Sequence, residues 1–117
     1  MYCAAVTVAS ITGWTPDQVW LHVRALREAK GQRVTRHPRG GICQSEYEDA
    51  LKRAGWEVVS RDHNRRMRYG EWCRTIGRHG VWMLHQHRHV FAYRPGKPIR
   101  YPNAMLIGWD RVQRRKG

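Results

Sequence analysis

Acidic residues are scarce in this 117-residue sequence: nine Asp and Glu stand against 22 Lys and Arg, a formal net charge of +13. A deficit of that size favours an anionic partner. Nucleic acid comes first, because each neutralised phosphate releases condensed counterions, and an acidic protein surface comes second. Cysteine is sparse as well, and three cysteines without paired spacing argue against a secreted disulfide scaffold and for a reducing, cytoplasmic setting. Long apolar runs are missing. The longest early one, Ala4 to Ile11, is broken by Thr7 and Ser10, lacks the charged leader of a signal peptide, and falls well short of the ~20 residues of a membrane span. Phenylalanine occurs once, yet six Trp and a hydrophobic fraction of 41% exclude a disordered chain, which would be poor in aromatics. With no internal repeat, low-complexity tract or linker, residues 1–117 read as one domain with one core.

The segment Cys3 to Thr12, closed by Gly13, reads as a short buried helix, with a buried strand as the alternative because of its β-branched content. Thr15-Pro-Asp-Gln18 is a helix start in which Thr15 caps, Pro16 takes the first helical position and Gln18 completes a capping box. Val19, Val23 and Leu26 then share a face up to Gly31. Gln32 to Ile42 reads as a basic loop. Ser45-Glu-Tyr-Glu48 is a second capping box, leading into a stripe of Tyr47, Ala50, Leu51 and Ala54. Trp56 to Ser60 reads as a short strand, Arg61 to Arg68 as a basic loop, and Tyr69 to Ile76 as a short helix. Val81 to Tyr93 is the longest β-like run. Arg94-Pro-Gly-Lys97 suits a type II turn returning through Pro98 to Tyr101, Ala104 to Trp109 adds a strand, and 111–117 reads as a fraying basic tail. Helices come first and strands afterwards, so the fold class is α+β, with N-terminal helices packed on a mostly antiparallel sheet. Trp14, Trp20, Trp56 and Trp72 are candidate core residues.

Among residues that carry chemistry, Cys3 opens the first helix, where the helix dipole and unpaired N–H groups favour a thiolate. A thiolate nucleophile also needs an imidazole within reach, and His89, heading Val90 to Tyr93, is the candidate. Alternation along one strand would put His85, His87 and His89 on a single face. That array invites a metal, but neighbouring positions on one face lie ~7 Å apart, too far for easy shared coordination. The expectation is therefore no metal and no cofactor. Cys73 reads as core and Cys43 as a loop or helix-start residue. Two Arg-rich stretches, Arg33, Arg36 and Arg39 in the first and Arg65, Arg66 and Arg68 in the second, are candidate anion-binding sites.

Cys3 to Trp20, Tyr47 to Val59 and Gly80 to Tyr93 together resemble the small papain-like, cysteine peptidase-like domains of tailed phages. In that family a Cys opens a short helix, a Gly-Trp turn leads to a second helix, and a His heads a late strand. The resemblance implies a papain-like fold with Cys3 as nucleophile, His89 as base and Asn103 as the residue that fixes the imidazole tautomer, with Asp110 as a weaker substitute. Papain-like enzymes also carry a Gln several residues before the nucleophile, whereas only Met1 and Tyr2 precede Cys3 here. Losing one oxyanion donor costs roughly 10²–10³ in rate, so the sequence leaves catalytic competence open.

Two function classes follow. One is a small cysteine peptidase or amidase-like hydrolase. The other is a non-enzymatic basic binder of a nucleic acid or a nucleic-acid-processing protein. For the second class the phage resemblance implies an inhibitor of host defence of the anti-CRISPR type.

Overall fold

The protein is described by a computed structural model covering residues 3–34, 41–96 and 99–116. In chain order the elements are α1 (Cys3–Thr12), α2 (Pro16–Ala29), α3 (Gln44–Arg53), β1 (Trp56–Asp62), β2 (Met67–Arg68), α4 (Tyr69–Thr75), β3 (Val81–Gln86), β4 (His89–Tyr93), β5 (Met105–Leu106) and β6 (Gly108–Arg114). The class is α+β with a mostly antiparallel sheet, as the order of helical and strand-like segments predicts. No helix among the described residues is long and apolar enough to cross a membrane. The chain forms two compact units, one of Met1–Glu57 with Arg115–Gly117 and the other of Val58–Arg114.

In the first unit α1, α2 and α3 pack on one another. Ala5, Val8, Ile11, Val19, Val23, Tyr47, Ala50 and Leu51 are all buried, and each such Val or Leu contributes roughly 1.5–3 kcal/mol. The α2 start is the expected one: Thr15 Oγ1 accepts from Gln18 N at 3.1 Å and Gln18 Oε1 accepts from Thr15 N at 2.8 Å. The α3 start differs from expectation. Its cap is Cys43, and Glu46, not Glu48, reaches back to a cap N–H, that of Cys43 at 3.0 Å. The shift has a reason in packing, because Glu46 is buried and also receives Arg27 Nε at 2.7 Å and Nη2 at 2.9 Å from α2.

In the second unit a four-stranded sheet runs in the order β1-β6-β3-β4, beside a two-stranded pair of β2 and β5. Strand β3 is antiparallel to both β4 and β6. Tyr69, Trp72, Cys73, Trp82, Leu84, Tyr93, Leu106 and Trp109 form its core. Trp72 stands edge-on to Trp82 and to Tyr93, each 5.1 Å away between centroids. Gly77 passes so close to that indole that an added Cβ would fall 2.1 Å from Trp72 Cζ3.

Four expectations need correction. Val81 to Tyr93 is a hairpin and not one run: Gln86 pairs with His89, and His87 and Arg88 form the turn, Arg88 in the left-handed region at φ 58°. His85, His87 and His89 therefore do not line one strand face. Ile99 to Tyr101 carry no strand, and residues 97 and 98 of the expected return lie outside the described residues. Residues 111–114, expected to fray, belong to β6, an interior strand in which Val112 is buried opposite Val81. Residues 61–68 are not simply a loop, since β1 extends to Asp62 and Met67–Arg68 pair with β5.

Candidate functional site

Side chains alternate between the faces of a strand. On β6, Gly108, Asp110 and Val112 thus share a face opposite that of Trp109. The register Met83↔Asp110 and His85↔Gly108 puts His85 of β3 on that same face, diagonal to Asp110. On the other side of β6, β1 presents Arg61, and His63 follows just beyond the strand end.

Three neighbouring strands therefore converge on one carboxylate. Asp110 is fully buried. Its Oδ2 lies 2.9 Å from His85 Nε2, and its Oδ1 lies 2.8 Å from His63 Nε2 and 2.9 Å from Arg61 Nε. The two imidazoles meet edge to face with centroids 4.7 Å apart. Burial alone would push the Asp110 carboxyl up. The His85 and Arg61 hydrogen bonds, together with the charges of His85 and His63, outweigh burial and hold the carboxyl at about 2. The carboxylate is therefore ionised throughout the neutral range. Gly108 makes room for the cluster, since a Cβ there would meet His63 Cδ2 at 2.9 Å and Asp62 O at 3.1 Å.

Sequence reasoning missed this cluster. It assigned Arg61 and His63 to an anion-binding loop and named Asp110 only as a substitute orienter for His89. The available signal was an acid directly after the apolar run Ala104 to Trp109: a buried carboxylate must be paired. Which residues would pair with it, 25 to 49 positions away, depends on strand order.

The other expected site residues are placed as follows. Cys3 is half-buried at the first position of α1, in the first unit. His89 is exposed at the first position of β4 and stacks on Phe91 at 5.8 Å, in the second unit. Asn103 lies exposed in the turn before β5, its carbonyl accepting from Arg68 Nη1 at 3.4 Å. No hydrogen bond joins Asn103 to His89 among the described residues, and Asp110 serves His85 and His63 instead. Arg33 is exposed, and Arg36 and Arg39 lie outside the described residues. Cys43 caps α3 as an exposed residue and Cys73 is buried, its thiol pushed up by burial.

Arg65, Arg66 and Arg68 are exposed. Arg65 lies 3.9 Å from Asp62 and over the Trp109 ring at 5.6 Å. Arg68 lies opposite Met105 and beside an exposed turn in which Ala104 N donates to Tyr101 O at 3.0 Å. Tyr69 N and Gly70 N bind that turn through Ala104 O and Pro102 O, each at 2.8 Å. Tyr101 is 74% exposed.

No family model, curated protein or solved structure matches this chain.

Proposed function

We propose that the chain is a nucleic-acid-binding protein acting through the basic surface of Val58–Arg114, with single strands as the preferred form. One observation carries this reading: the most exposed large hydrophobic residue among the described residues, Tyr101, stands on a fixed turn beside Arg68 and next to Arg100 in sequence. An aromatic face among guanidiniums suits an unpaired base and its phosphate, because stacking is tolerant of sequence and Arg binds phosphate in a bidentate manner. Charge placement supports it. Of the 22 basic and nine acidic residues, 12 and three fall in this unit. One of those three acids is the buried and paired Asp110, and Asp62 lies beside Arg65. The test is fluorescence anisotropy of a labelled single-stranded oligonucleotide across a salt series. Binding that weakens steeply with salt and is reduced in Tyr101→Ala supports the reading. A flat salt response removes it.

A second reading, papain-like cysteine hydrolysis with Cys3 as nucleophile, is favoured by the position of Cys3 as the first residue of a ten-residue helix, the placement that the resemblance gives its nucleophile. The His89 base and Asn103 orienter that the resemblance implies belong to the other unit. Iodoacetamide near neutral pH tests it. Cys3 should be alkylated faster than the more exposed Cys43, with buried Cys73 slowest, and equal rates at Cys3 and Cys43 count against an activated sulfur. Cys3→Ala separates the readings, since nucleic-acid binding should survive it. The anti-defence inhibitor role that the phage resemblance implies is the protein-partner form of the binding reading, and an oligonucleotide that fails to bind while an acidic protein does would favour it.

A further inference from the structure

The Asp110 cluster contributes nothing to the exposed stacking surface, and its geometry points to a second activity. We propose that His63, His85 and Asp110 form a binding site for one divalent transition-metal ion of the zinc class, held by the Nε2 atoms of the two imidazoles and one carboxylate oxygen.

The donor set and its spacing support this assignment. One ligand atom from each of the three residues lies within 4.8 Å of the other two. Two imidazoles and one carboxylate are a donor set found where zinc keeps an open fourth position for water. Both rings aim the same nitrogen, Nε2, at the same carboxylate, at 2.8 and 2.9 Å. Zinc–ligand bonds of about 2.0–2.2 Å in a tetrahedron separate ligand atoms by roughly 3.3–3.5 Å, so His85 Nε2 and Oδ2 must part by about half an ångström to admit an ion, and His63 Nε2, which faces Oδ1, must swing toward the same ion.

The three residues differ in their freedom to move. Asp110 is held in an interior strand and His85 in the strand paired with it. His63 stands beyond the end of β1 with its side chain 33% exposed, so it is the ligand that can swing. The His85 side chain is also accessible, at 19%.

In the ion-free arrangement each Nε2 facing the carboxylate donates a hydrogen bond to it. On coordination the Nε2 proton leaves each ring and the Nε2 lone pair turns to the ion, with Nδ1 carrying the remaining ring proton. Arg61 then has a defined part. Its Nε donates to Oδ1 at 2.9 Å, which leaves it as the outer partner that fixes the carboxylate while Oδ2 ligates. Ligating carboxylates are commonly held in this way. The guanidinium opposes a nearby cation, but two imidazoles and an anionic oxygen at bonding distance are stronger local terms than one charge already engaged with the carboxylate.

The test uses the full chain, stripped with chelator and titrated with ZnCl2, and separately with CoCl2 while visible ligand-field absorption is followed. One zinc per chain is expected, with cobalt bands of a low-symmetry four- or five-coordinate site. His63→Gln, at a half-exposed position that tolerates the change, should weaken binding by more than about 100-fold, beyond the 10–100-fold expected of an outer partner and so of Arg61→Met. A His87→Gln, His89→Gln double variant, altering only the hairpin turn and strand start, should bind zinc as the parent does. Zinc should also shift the NMR ring resonances of His63 and His85 in the parent and leave those of His22 unchanged, a readout that needs no variant. Absence of stoichiometric binding, unchanged affinity in His63→Gln, loss confined to the hairpin double variant, or unmoved His63 and His85 resonances would each overturn the proposal. Oligonucleotide binding by the metal-free protein is read separately, so either reading can fail alone.

Discussion

Gly108 and His63 touch: a Cβ on Gly108 would lie 2.9 Å from His63 Cδ2 and 3.1 Å from His63 Cα. The imidazole reaches Asp110 only because β6 carries hydrogen at this position. Gly108→Ala should therefore push His63 outward and leave the buried carboxylate with one fewer donor. The expected cost is about 1–3 kcal/mol from overpacking and the weakened hydrogen bond, read as a lowered urea midpoint. Zinc affinity should fall in parallel. Unchanged stability together with unchanged zinc affinity would show that His63 is not held by this contact.

A second prediction concerns acid. Glu46 receives two Arg27 nitrogens and the Cys43 N–H. The Arg27 hydrogen bond, partly opposed by burial and aided by the Cys43 bonds and the Arg27 charge, holds its carboxyl at about 2, against an ordinary value of 4.5. A depressed folded-state pKa means that the unfolded chain takes up the proton first as pH falls. The contribution is thus fully present above about 4.5 and is lost between there and about 2, on the order of 3 kcal/mol in all. Glu46→Gln should flatten the stability of the helical unit over that window and lower it at neutral pH. Hydrogen exchange of α2 and α3 amides against pH would show this. A slope as steep in the variant as in the parent would assign the acid sensitivity elsewhere.

How much of this was readable beforehand depended on the range of the interaction. The Thr15–Gln18 box, the end of α1 at Gly13 and the burial of Cys73, Trp20, Trp56 and Trp72 follow from local chemistry or simple patterning, and the structure bears them out. Trp14 is only half-buried, edge-on to His22. The α3 cap was misplaced by two residues because Glu46 answers to Arg27, 19 positions away. The hairpin at His87-Arg88 gave no sign, since neither residue is a usual turn-former and one must enter the left-handed region. Residues 111–114 read as a tail for a related reason: Arg111, Gln113 and Arg114 are exposed, and of the four only Val112 marks a buried face. The Asp110 cluster was the least legible feature, because it exists only once β1, β6 and β3 lie side by side.

Salt and stacking separate in the nucleic-acid reading. Each phosphate neutralised on a single strand adds about −0.7 to the slope of log affinity against log salt. Arg66→Glu with Arg68→Glu should thus flatten that slope by about 1.4 if both arginines contact phosphate. Tyr101→Ala should leave the slope alone and cost about 1–3 kcal/mol of affinity, the value of one stacked base. A Tyr101 variant that binds as tightly as the parent would remove the stacking platform and leave only diffuse charge.

Arg88 offers a test of strain in the hairpin that carries His89. At φ 58° a residue with a Cβ sits in a region that costs it roughly 1–2 kcal/mol relative to the right-handed one. Glycine escapes that penalty but gives back part of the gain, because it frees the unfolded chain. Arg88→Gly should therefore stabilise the second unit modestly, by about 0.5–1 kcal/mol, and Arg88→Asn by less. Arg88→Val should destabilise it, since β-branching is worst tolerated there. The order Gly, Asn, Arg, Val in urea midpoint is the expected signature. A ranking that followed charge or size instead would mean that the turn relaxes, and that β4 begins at His89 for reasons other than the conformation of the residue before it.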